Sequence, residues 1–381
     1  MVRQAQQAIL AARGEASVQW TIVLPCHREG DALFAALERF DISPSFDDSS
    51  ELVILLSELS EQSRPAHHAL ARWSESNTDR RISVIVCPAE CTSKALKLDH
   101  YFRSIASDAT RLYLVVDVDA NYELSMPRAG DCCDGCTFQA VPFVRVGQGC
   151  NPLAGALAVA HAERSAMEAW SLAKWERRTR PFLLGFMGAG MAFDGRAVQK
   201  LLPWHASSDD IRMGYRADLL ALPRVLLGWL AEVQAAPDAR SWIRQQLRIA
   251  DGVFSRRAEV RRAGSPRAGG VRALASVLFD WLPGFRLASL VGMGLVAMVV
   301  GEDRVWLAFT LATLVHCWIV LYAYSALGTI LLTPLDVTFR TLGFAFIGSI
   351  IWVPLRAVCA CAATVIPRQR MADLHAVSTG E

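Results

Sequence analysis

Leu112-Tyr113-Leu114-Val115-Val116-Asp117-Val118-Asp119 is the stretch of sequence that decides the fold. Its first five residues are aliphatic or aromatic, a composition typical of a strand buried on both faces of a parallel sheet. Two aspartates follow where this strand ends, and ligands of open α/β sheets bind beyond the carboxyl ends of the strands. Paired carboxylates at that edge are suited to hold a hard divalent cation and, through it, a diphosphate. The alternative is a solvated strand end that carries two acidic residues without a ligand.

Strands and helices alternate on both sides of this stretch. Strands are predicted at residues 21–25, 52–56, 82–86 and 138–146, and helices at residues 31–40, 94–106, 152–178 and 211–222. Such alternation indicates right-handed βαβ units and a largely parallel sheet. The predicted fold class is therefore α/β, with a Rossmann-like, mostly parallel sheet.

The C-terminal third is much more apolar than the rest of the chain. The 381 residues are 52% hydrophobic and their mean hydropathy is +0.26, which is high for an ordinary soluble enzyme. Residues 305–332 form an almost unbroken apolar run that is long enough to cross a bilayer. Residues 342–366, interrupted by Pro354 and Arg356, and residues 285–300 are further candidates. We expect two or three transmembrane helices.

Charge predicts how these helices are oriented. Six arginines and a single acid, Glu259, lie between Arg256 and Arg272, and such a cluster before an apolar segment favours the cytoplasmic side. Residues 1–18 have no continuous apolar core of the kind found in a signal peptide. We expect a multi-pass protein of the inner (cytoplasmic) membrane whose large domain faces the cytoplasm. The expected divisions are 1–18 extension, 19–262 cytoplasmic domain, 263–284 linker or interfacial segment, 285–366 transmembrane region and 367–381 tail.

Two shorter segments permit more limited predictions. Residues 262–270 (RAGSPRAGG) have the composition of a linker. Cys132-Cys133-Asp134-Gly135-Cys136 contains one CxxC element, but a zinc site normally needs a second pair or suitably spaced histidines. A loop with reduced thiols is therefore the preferred interpretation.

Six landmarks in a fixed order resemble the family 2 glycosyltransferases, inverting enzymes with a glycosyltransferase A-type fold that use nucleotide sugars. In this chain the landmarks are Pro25-Cys26-His27-Arg28-Glu29 (similar to Pro-x-Tyr-Asn-Glu), Ser93-Lys94-Ala95-Leu96-Lys97-Leu98-Asp99 (Lys-Gly-x-Ala-Leu-Asn), Asp117-Val118-Asp119 (Asp-x-Asp), Gly185-Phe186-Met187-Gly188-Ala189-Gly190 (a Gly-rich acceptor-side segment), Ser208-Asp209-Asp210 with Gly214-Tyr215-Arg216 (Thr-Glu-Asp and Gly-Tyr-Arg), and Gln245-Gln246-Leu247-Arg248 (Gln-x-x-Arg). The resemblance runs from about residue 21 to residue 252, and membrane helices follow as in many members.

The resemblance implies a role for each matching residue. It implies a metal site for Mg²⁺ or Mn²⁺ at Asp119 with Asp117, and a general base at Asp210, with Asp209 next in line. The donor implied is a nucleotide sugar, most simply a UDP-sugar, and the acceptor a membrane lipid or glycan; no nucleic-acid partner is expected. The residues implied to bind the nucleotide are Pro25, Glu29, Glu58, Lys94, Asp117, Gln245 and Arg248.

The chain departs from the family pattern at two places. Ser57-Glu58-Leu59-Ser60 stands where the family has Asp-Asp-Gly-Ser, so Glu58 takes the position of the residue that contacts the nucleotide base. Ile249 stands where the Gln-x-x-Arg-Trp motif has tryptophan, which removes an aromatic platform for an acceptor sugar.

The chemistry of glycosyl transfer agrees with these residue types. An acceptor hydroxyl is too weak an acid to attack unaided at neutral pH, so a carboxylate base is expected. Asp209 beside Asp210 disfavours ionisation of both and raises the proton affinity of one. The alternative is that the pair only caps the helix that follows. Gln245 and Arg248 are expected on one helical turn, close enough together to reach the same diphosphate.

Other classes of protein share some of these features. A nucleotidyltransferase also combines a nucleotide, a metal and paired aspartates, but usually has a Gly-rich turn after its first strand, whereas residues 25–30 contain one glycine. A catalytically silent membrane subunit with the same fold is a third possibility, and the presence of Asp117, Asp119 and Asp210 argues against it. Arg356 within an apolar segment and the basic run 256–272 suggest a positively lined entry for an anionic lipid acceptor. The alternatives for Arg356 are an arginine that reaches to the membrane surface from a helix end, or a charge paired with Asp336.

Overall fold

A computed structural model describes most of the N-terminal domain and the helices that follow it. The described residues are 19–26, 29–42, 51–75, 82–105, 111–118, 120–122, 135–145, 168–169, 171–172, 174–175, 181–186, 188, 190–204, 209–234, 239–254, 259–260, 266–315, 318 and 358.

Eight strands and seven helices make up the named elements of this part of the chain. The strands are β1 (Gln19–Pro25), β2 (Glu51–Ser57), β3 (Ile82–Cys87), β4 (Arg111–Val115), β5 (Asn121–Tyr122), β6 (Thr137–Arg145), β7 (Met191–Asp194) and β8 (Arg224–Gln234). The helices are α1 (Asp31–Ile42), α2 (Arg64–Ser74), α3 (Lys94–Ser104), α4 (Gly195–Leu201), α5 (Asp209–Leu219), α6 (Ala239–Phe254) and α7 (Pro266–Val300). Residues 303–315 are also helical.

All eight strands belong to one sheet, in the order β3-β2-β1-β4-β7-β6-β8-β5. The pairs β1–β2, β2–β3, β1–β4 and β6–β8 are parallel, whereas β7 runs antiparallel to both β4 and β6, and β5 runs antiparallel to β8. The predicted α/β class with a mostly parallel sheet is therefore confirmed. Strands β5, β7 and β8 were not predicted; β5 and β7 have only two and four residues, too few to form a recognisable pattern in the sequence.

Helices cover both faces of the sheet. Alternate residues of each central strand point to opposite faces, so both faces carry apolar side chains that pack against helices. On one side Ile22 and Leu24 of β1 pack with residues of α1 and α2; on the other Val23 packs with residues of α3, α4 and α5. Strands β1, β2 and β4 are thus buried on both faces, which explains why they appear in the sequence as continuous apolar runs, whereas the edge strand β3 exposes Val84 and Val86.

The C-terminal part of the described chain is helical. Helix α7 has 35 residues and includes the apolar segment 285–300 in its C-terminal half. The segment 262–270, expected as a linker, is helical from Pro266 onward, since proline is well tolerated in the first turn of a helix. In the parts of the chain that the structure describes, no helix combines the length and the apolar character needed to cross a bilayer. Most of the predicted span 305–332 and nearly all of 342–366 lie outside the described residues, as does most of the predicted helix 152–178.

The Cys-rich segment differs from its prediction at one position. Cys136, fully buried at the start of β6, is disulfide-bonded, so the expectation of reduced thiols is wrong for this residue. Its main chain is held by Asp194, whose carboxylate accepts hydrogen bonds from the N–H groups of Gly135 and Cys136. Among the described residues, no group of three or more His, Cys, Asp or Glu side chains is placed to hold a metal ion.

Candidate active site

The carboxyl ends of β1 and β2 form the first wall of the candidate site. Pro25 ends β1, and the N–H of Cys26 continues the parallel pairing by donating to Leu55 O at 2.8 Å. Glu29, half-buried, lies in the turn that leads to α1, whereas Glu58 is exposed just beyond β2. The loop that carries Glu58 is fixed by Ser63, whose hydroxyl donates to Glu58 O at 2.6 Å. The Glu58 carboxylate is thus presented at the sheet edge from a restrained main chain.

Helix α3 brings a cation to the end of β4. Lys94 is the first residue of α3, and the hydroxyl of Ser93 caps the helix by accepting from Leu96 N at 3.3 Å. The Lys94 amine donates to Asp117 Oδ1, so the two residues form an ion pair across the β4 edge. Both side chains are a little over one-quarter exposed. The ion pair thus joins Lys94, from the predicted motif at the start of α3, to Asp117, the first of the two aspartates after β4. The second aspartate, Asp119, lies outside the described residues.

A second lysine of α3 is completely buried beside three thiols. Lys97 is 1% exposed and its amine donates to Cys26 O. Burial lowers the pKa of Lys97, and the charges of Cys26, Glu29, Cys87 and Cys91 oppose this effect. Burial also raises the pKa of the Cys87 thiol to about 11 and that of Cys26 well above its ordinary value. The sequence motif gave no sign of this cluster, because the family pattern has a small residue where Lys97 stands.

Asp210 lies at the start of α5, against the Gly-rich segment. Phe186 N donates to Asp210 O at 3.0 Å, and Asp210 Oδ1 accepts from Ile211 N at 2.8 Å. Gly188 adopts a φ of +61°, and a Cβ atom there would lie 3.0 Å from Asp210 Oδ2. The glycine therefore lets the main chain approach the carboxylate closely. The side chain of Asp209 is not among those described.

Gly214 lets helix α5 pack closely against the Gly-rich segment. A Cβ atom on Gly214 would lie 2.3 Å from Phe186 N and 2.4 Å from Gly185 C, so the helix contacts the bare main chain of the Gly-rich segment. Similarly, a Cβ atom on Gly185 would meet Ile211 Cα at 2.9 Å. Close packing of helix and loop thus depends on glycine on each side.

Arg224 and Asp218 fix the main chain that enters the Gly-rich segment. Both are fully buried and ion-paired, with Arg224 Nη1 3.4 Å from Asp218 Oδ2. Arg224 donates to Leu184 O at 2.8 Å and Gly185 O at 2.9 Å, and its guanidinium lies 4.3 Å from the centroid of the Phe186 ring. Asp218 accepts from Leu184 N at 2.8 Å. Neither residue belongs to a motif recognised in the sequence.

Helix α6 carries the Gln-x-x-Arg residues. Gln245 and Arg248 both lie in α6, as the predicted helical turn requires; Gln245 is half-buried, and the Arg248 side chain is not described. The neighbouring Gln246 is buried, and its Oε1 has no hydrogen-bond partner among the described residues. Ile249, at the position after Arg248, packs with Ile211 of α5 in an apolar cluster.

Strand register places these groups at one edge of the sheet. Val115 of β4 pairs with Met191 of β7 in antiparallel register. Asp117 follows Val115 by two residues, and Gly188 precedes Met191 by three, so both lie beyond the same end of this strand pair. Neighbouring strands are about 4.8 Å apart. The Lys94–Asp117 pair and the Gly188–Asp210 contact therefore lie at the same edge of the sheet, beyond the carboxyl end of β4.

Comparisons with known proteins gave structural likenesses only. No protein-family model and no curated protein matches the sequence. The structure is similar to that of a mannosyltransferase from Pyrobaculum calidifontis in complex with GDP-Man and Mn²⁺, with 15% identity, 96% of this chain and 92% of that chain covered, and a TM-score of 0.49. It is also similar to glucosyl-3-phosphoglycerate synthase from Mycobacterium tuberculosis in complex with Mn²⁺ and UDP, with 16% identity, 66% and 82% covered, and a TM-score of 0.34. At these scores the likeness assigns neither an activity nor a ligand to this chain.

Proposed function

We propose that the protein is a membrane-associated, inverting glycosyltransferase of the family 2 type that moves a sugar from a nucleotide sugar to a lipid or glycan hydroxyl. The observation that carries this proposal is the Val115–Met191 register, which brings Asp117 and Asp210 to one edge of the sheet. A donor-side carboxylate and a separate candidate base at one edge of the sheet are what such a transfer needs.

The donor binds on the side of α3 and β4. Lys94 supplies a positive charge next to the donor's diphosphate. Asp117 and Asp119 would hold Mg²⁺ or Mn²⁺, which would stabilise negative charge on the leaving diphosphate. Two carboxylates are sufficient, because Mg²⁺ is commonly bound by one or two carboxylates together with substrate phosphates. Pro25, Glu29 and Glu58 border the position of the nucleoside, and Gln245 and Arg248 of α6 bind the diphosphate.

The acceptor binds on the side of α5. Asp210 takes the proton from the acceptor hydroxyl as its oxygen bonds to the anomeric carbon, and the bond from that carbon to the diphosphate oxygen breaks with its electron pair leaving on the diphosphate. Attack from the face opposite the leaving group inverts the anomeric centre. Asp209 adjoins the base and disfavours its ionisation.

Exposed apolar side chains support association with a membrane. The C-terminal half of α7 and the helical residues 303–315 present large apolar side chains that are 41–87% exposed, and such a contiguous surface is uncommon on a soluble monomer. The exposed residues are Val291, Leu295, Val296, Met298, Val299, Val300, Trp306, Leu307, Leu311, Leu314 and Val315. Together with the arginines of 256–272, they favour a multi-pass protein at the cytoplasmic membrane and an anionic lipid acceptor.

A panel of donors tests the proposal. Membranes that carry the full chain are incubated with radiolabelled UDP-sugars, GDP-sugars and CTP, each with and without Mn²⁺. The masses of the lipid products are then measured by mass spectrometry. We expect label from one nucleotide sugar to enter a lipid-soluble product only when Mn²⁺ is present. Incorporation from CTP instead would indicate a nucleotidyltransferase. Absence of incorporation from every donor would indicate a silent subunit.

A further inference from the structure

Segment 256–272 contains six arginines and a single acidic residue, Glu259, whose side chain is buried. A carboxylate in such a basic stretch of sequence is ordinarily exposed to solvent. In the structure the Glu259 side chain is 1% exposed and forms ion pairs with Arg212 at 3.1 Å and Arg216 at 3.3 Å. A carboxylate buried so completely is held there by specific partners.

Both partners belong to α5, the helix that begins at Asp209 and Asp210. Arg212 donates to Glu259 Oε1 through Nε at 3.2 Å and Nη2 at 3.1 Å, while Arg216 Nη2 donates to the other oxygen, Oε2. Arg212 and Arg216 are four residues apart and so lie on one face of the helix, in successive turns. One carboxylate therefore restrains both the rotation of α5 about its axis and its position along that axis.

Arg216 extends this restraint to the preceding helix. Its Nη1 donates to Leu201 O at 2.6 Å and to Pro203 O at 3.0 Å. These carbonyls lie at the end of α4, just before the connection that leads to Asp210. Glu259 thus orients a guanidinium that ties together the two helices flanking that connection.

Apolar contacts support the same arrangement. Val260, next to Glu259, packs with Ile211 and Tyr215 of α5, and Ala273 of α7 packs against the same cluster. Arg272 donates to Asp218 O at 2.9 Å, at the far end of α5. Residues 259–260 and the first turns of α7 therefore contact α5 from near Asp210 to its last turn.

We propose that Glu259 is a positioning residue for the base: it fixes α5 so that Asp210 faces the acceptor. This inference rests on the proposed transferase function. The donor-side pair Lys94 and Asp117 lies on α3 and beyond β4, whereas the ion-pair partners of Glu259 lie on α5. Loss of Glu259 is therefore expected to slow turnover and to leave donor binding intact.

The variant Glu259→Gln tests the role, because it keeps the shape of the side chain and removes its charge. Small displacements of a catalytic group lower turnover by up to roughly a hundredfold. We expect kcat to fall about tenfold to a hundredfold, with the donor KM and the Kd for the nucleotide diphosphate within about twofold of wild type. Glu75→Gln, the same change at an exposed position at the end of α2, is the control and should match wild type.

Two further variants keep the test decisive. Glu259→Asp retains the charge on a shorter side chain and should recover part of the lost kcat. Arg212→Lys retains the positive charge but loses the two-pronged contact to Oε1, and should lower kcat in the same direction. It carries the test if Glu259→Gln does not fold. Equal losses in kcat and donor affinity, or wild-type kcat in both Glu259→Gln and Arg212→Lys, would overturn the inference while leaving the function intact. Absence of transfer by the wild-type protein would instead overturn the function.

Discussion

The amine of Lys94 and the carboxylate of Asp117 form an ion pair that joins the first turn of α3 to the end of β4. Because both side chains are partly exposed, solvent screens the pair and its contribution to folding stability is small. The ion pair matters for function instead, because it holds a cation and a carboxylate together at the sheet edge where a diphosphate would bind.

Replacing Lys94 is therefore expected to affect the donor more than the fold. Lys94→Met removes the cation and should raise the donor KM about tenfold or more, since hydrogen bonds to charged groups contribute about 1.5–3 kcal/mol. Lys94→Arg keeps the charge and should lie between Met and wild type. Titration with the nucleotide diphosphate gives the affinities, and thermal melting is expected to be unchanged. Equal affinities for Met and wild type would contradict this role.

Asp119→Ala should abolish transfer while the protein remains folded, because it removes a carboxylate oxygen from the metal site. Excess EDTA should stop the wild-type enzyme, and added Mn²⁺ or Mg²⁺ should restore it. Asp303→Ala, at an exposed acid after α7, is the control and should retain full activity. Full turnover in EDTA would exclude a metal-dependent mechanism.

Asp210→Asn should leave nucleotide binding nearly intact and lower kcat about a hundredfold or more, the usual scale of general acid–base catalysis. Asparagine preserves the shape of the side chain beside Gly188 but cannot take up the proton. Single-turnover assays with saturating donor measure the chemical step directly. Near-normal turnover would transfer the role of base to Asp209.

Gly214→Ala should destabilise the protein by about 3 kcal/mol, because the added methyl group would overlap main-chain atoms that have no room to move. Its Cβ would lie 2.3 Å from Phe186 N and 2.5 Å from Leu184 O. Gly292→Ala is the matched control within a helix: no atom lies within 4 Å of its added Cβ. That change should be neutral or slightly stabilising. Chemical denaturation monitored by circular dichroism compares the two.

Lys97 should make stability depend on alkaline pH. Burial lowers its pKa in the folded protein below the ordinary 10.5, so the unfolded chain binds more protons between the two values. The contribution of Lys97 to stability therefore rises with pH through that window and is constant above it. The stability of wild type relative to Lys97→Met should increase as the pH is raised from neutral toward 10.5. A difference that does not change with pH would show that the amine is not desolvated.

The sequence predicts the parts of the fold in which local pattern and final environment agree. Strands β1, β2 and β4 are apolar runs whose two faces are both covered, and Ser93 and Lys94 mark the start of α3 as its motif suggests. The order of motifs then points to Asp117 and Asp210, and the strand register supplies the reason that they share an edge.

Other features depend on contacts between distant segments and leave no local trace. Strand β7 is short, and its pairing with β4 is a long-range contact. Lys97 and Glu259 are charged residues in polar stretches of sequence, where solvent exposure is the ordinary expectation. Their burial follows from the Cys26 carbonyl and from two arginines of α5, partners that periodicity and composition do not identify.

The support of α5 by residues that follow it has a consequence for biosynthesis. Asp210 leaves the ribosome before Glu259, Arg272 and Ser276, the last of which accepts a hydrogen bond from Leu183 N at 2.6 Å. At about 5–20 residues per second, several seconds separate translation of the base from that of these later residues. The nascent domain therefore completes its acceptor side only when the first turns of α7 have been made.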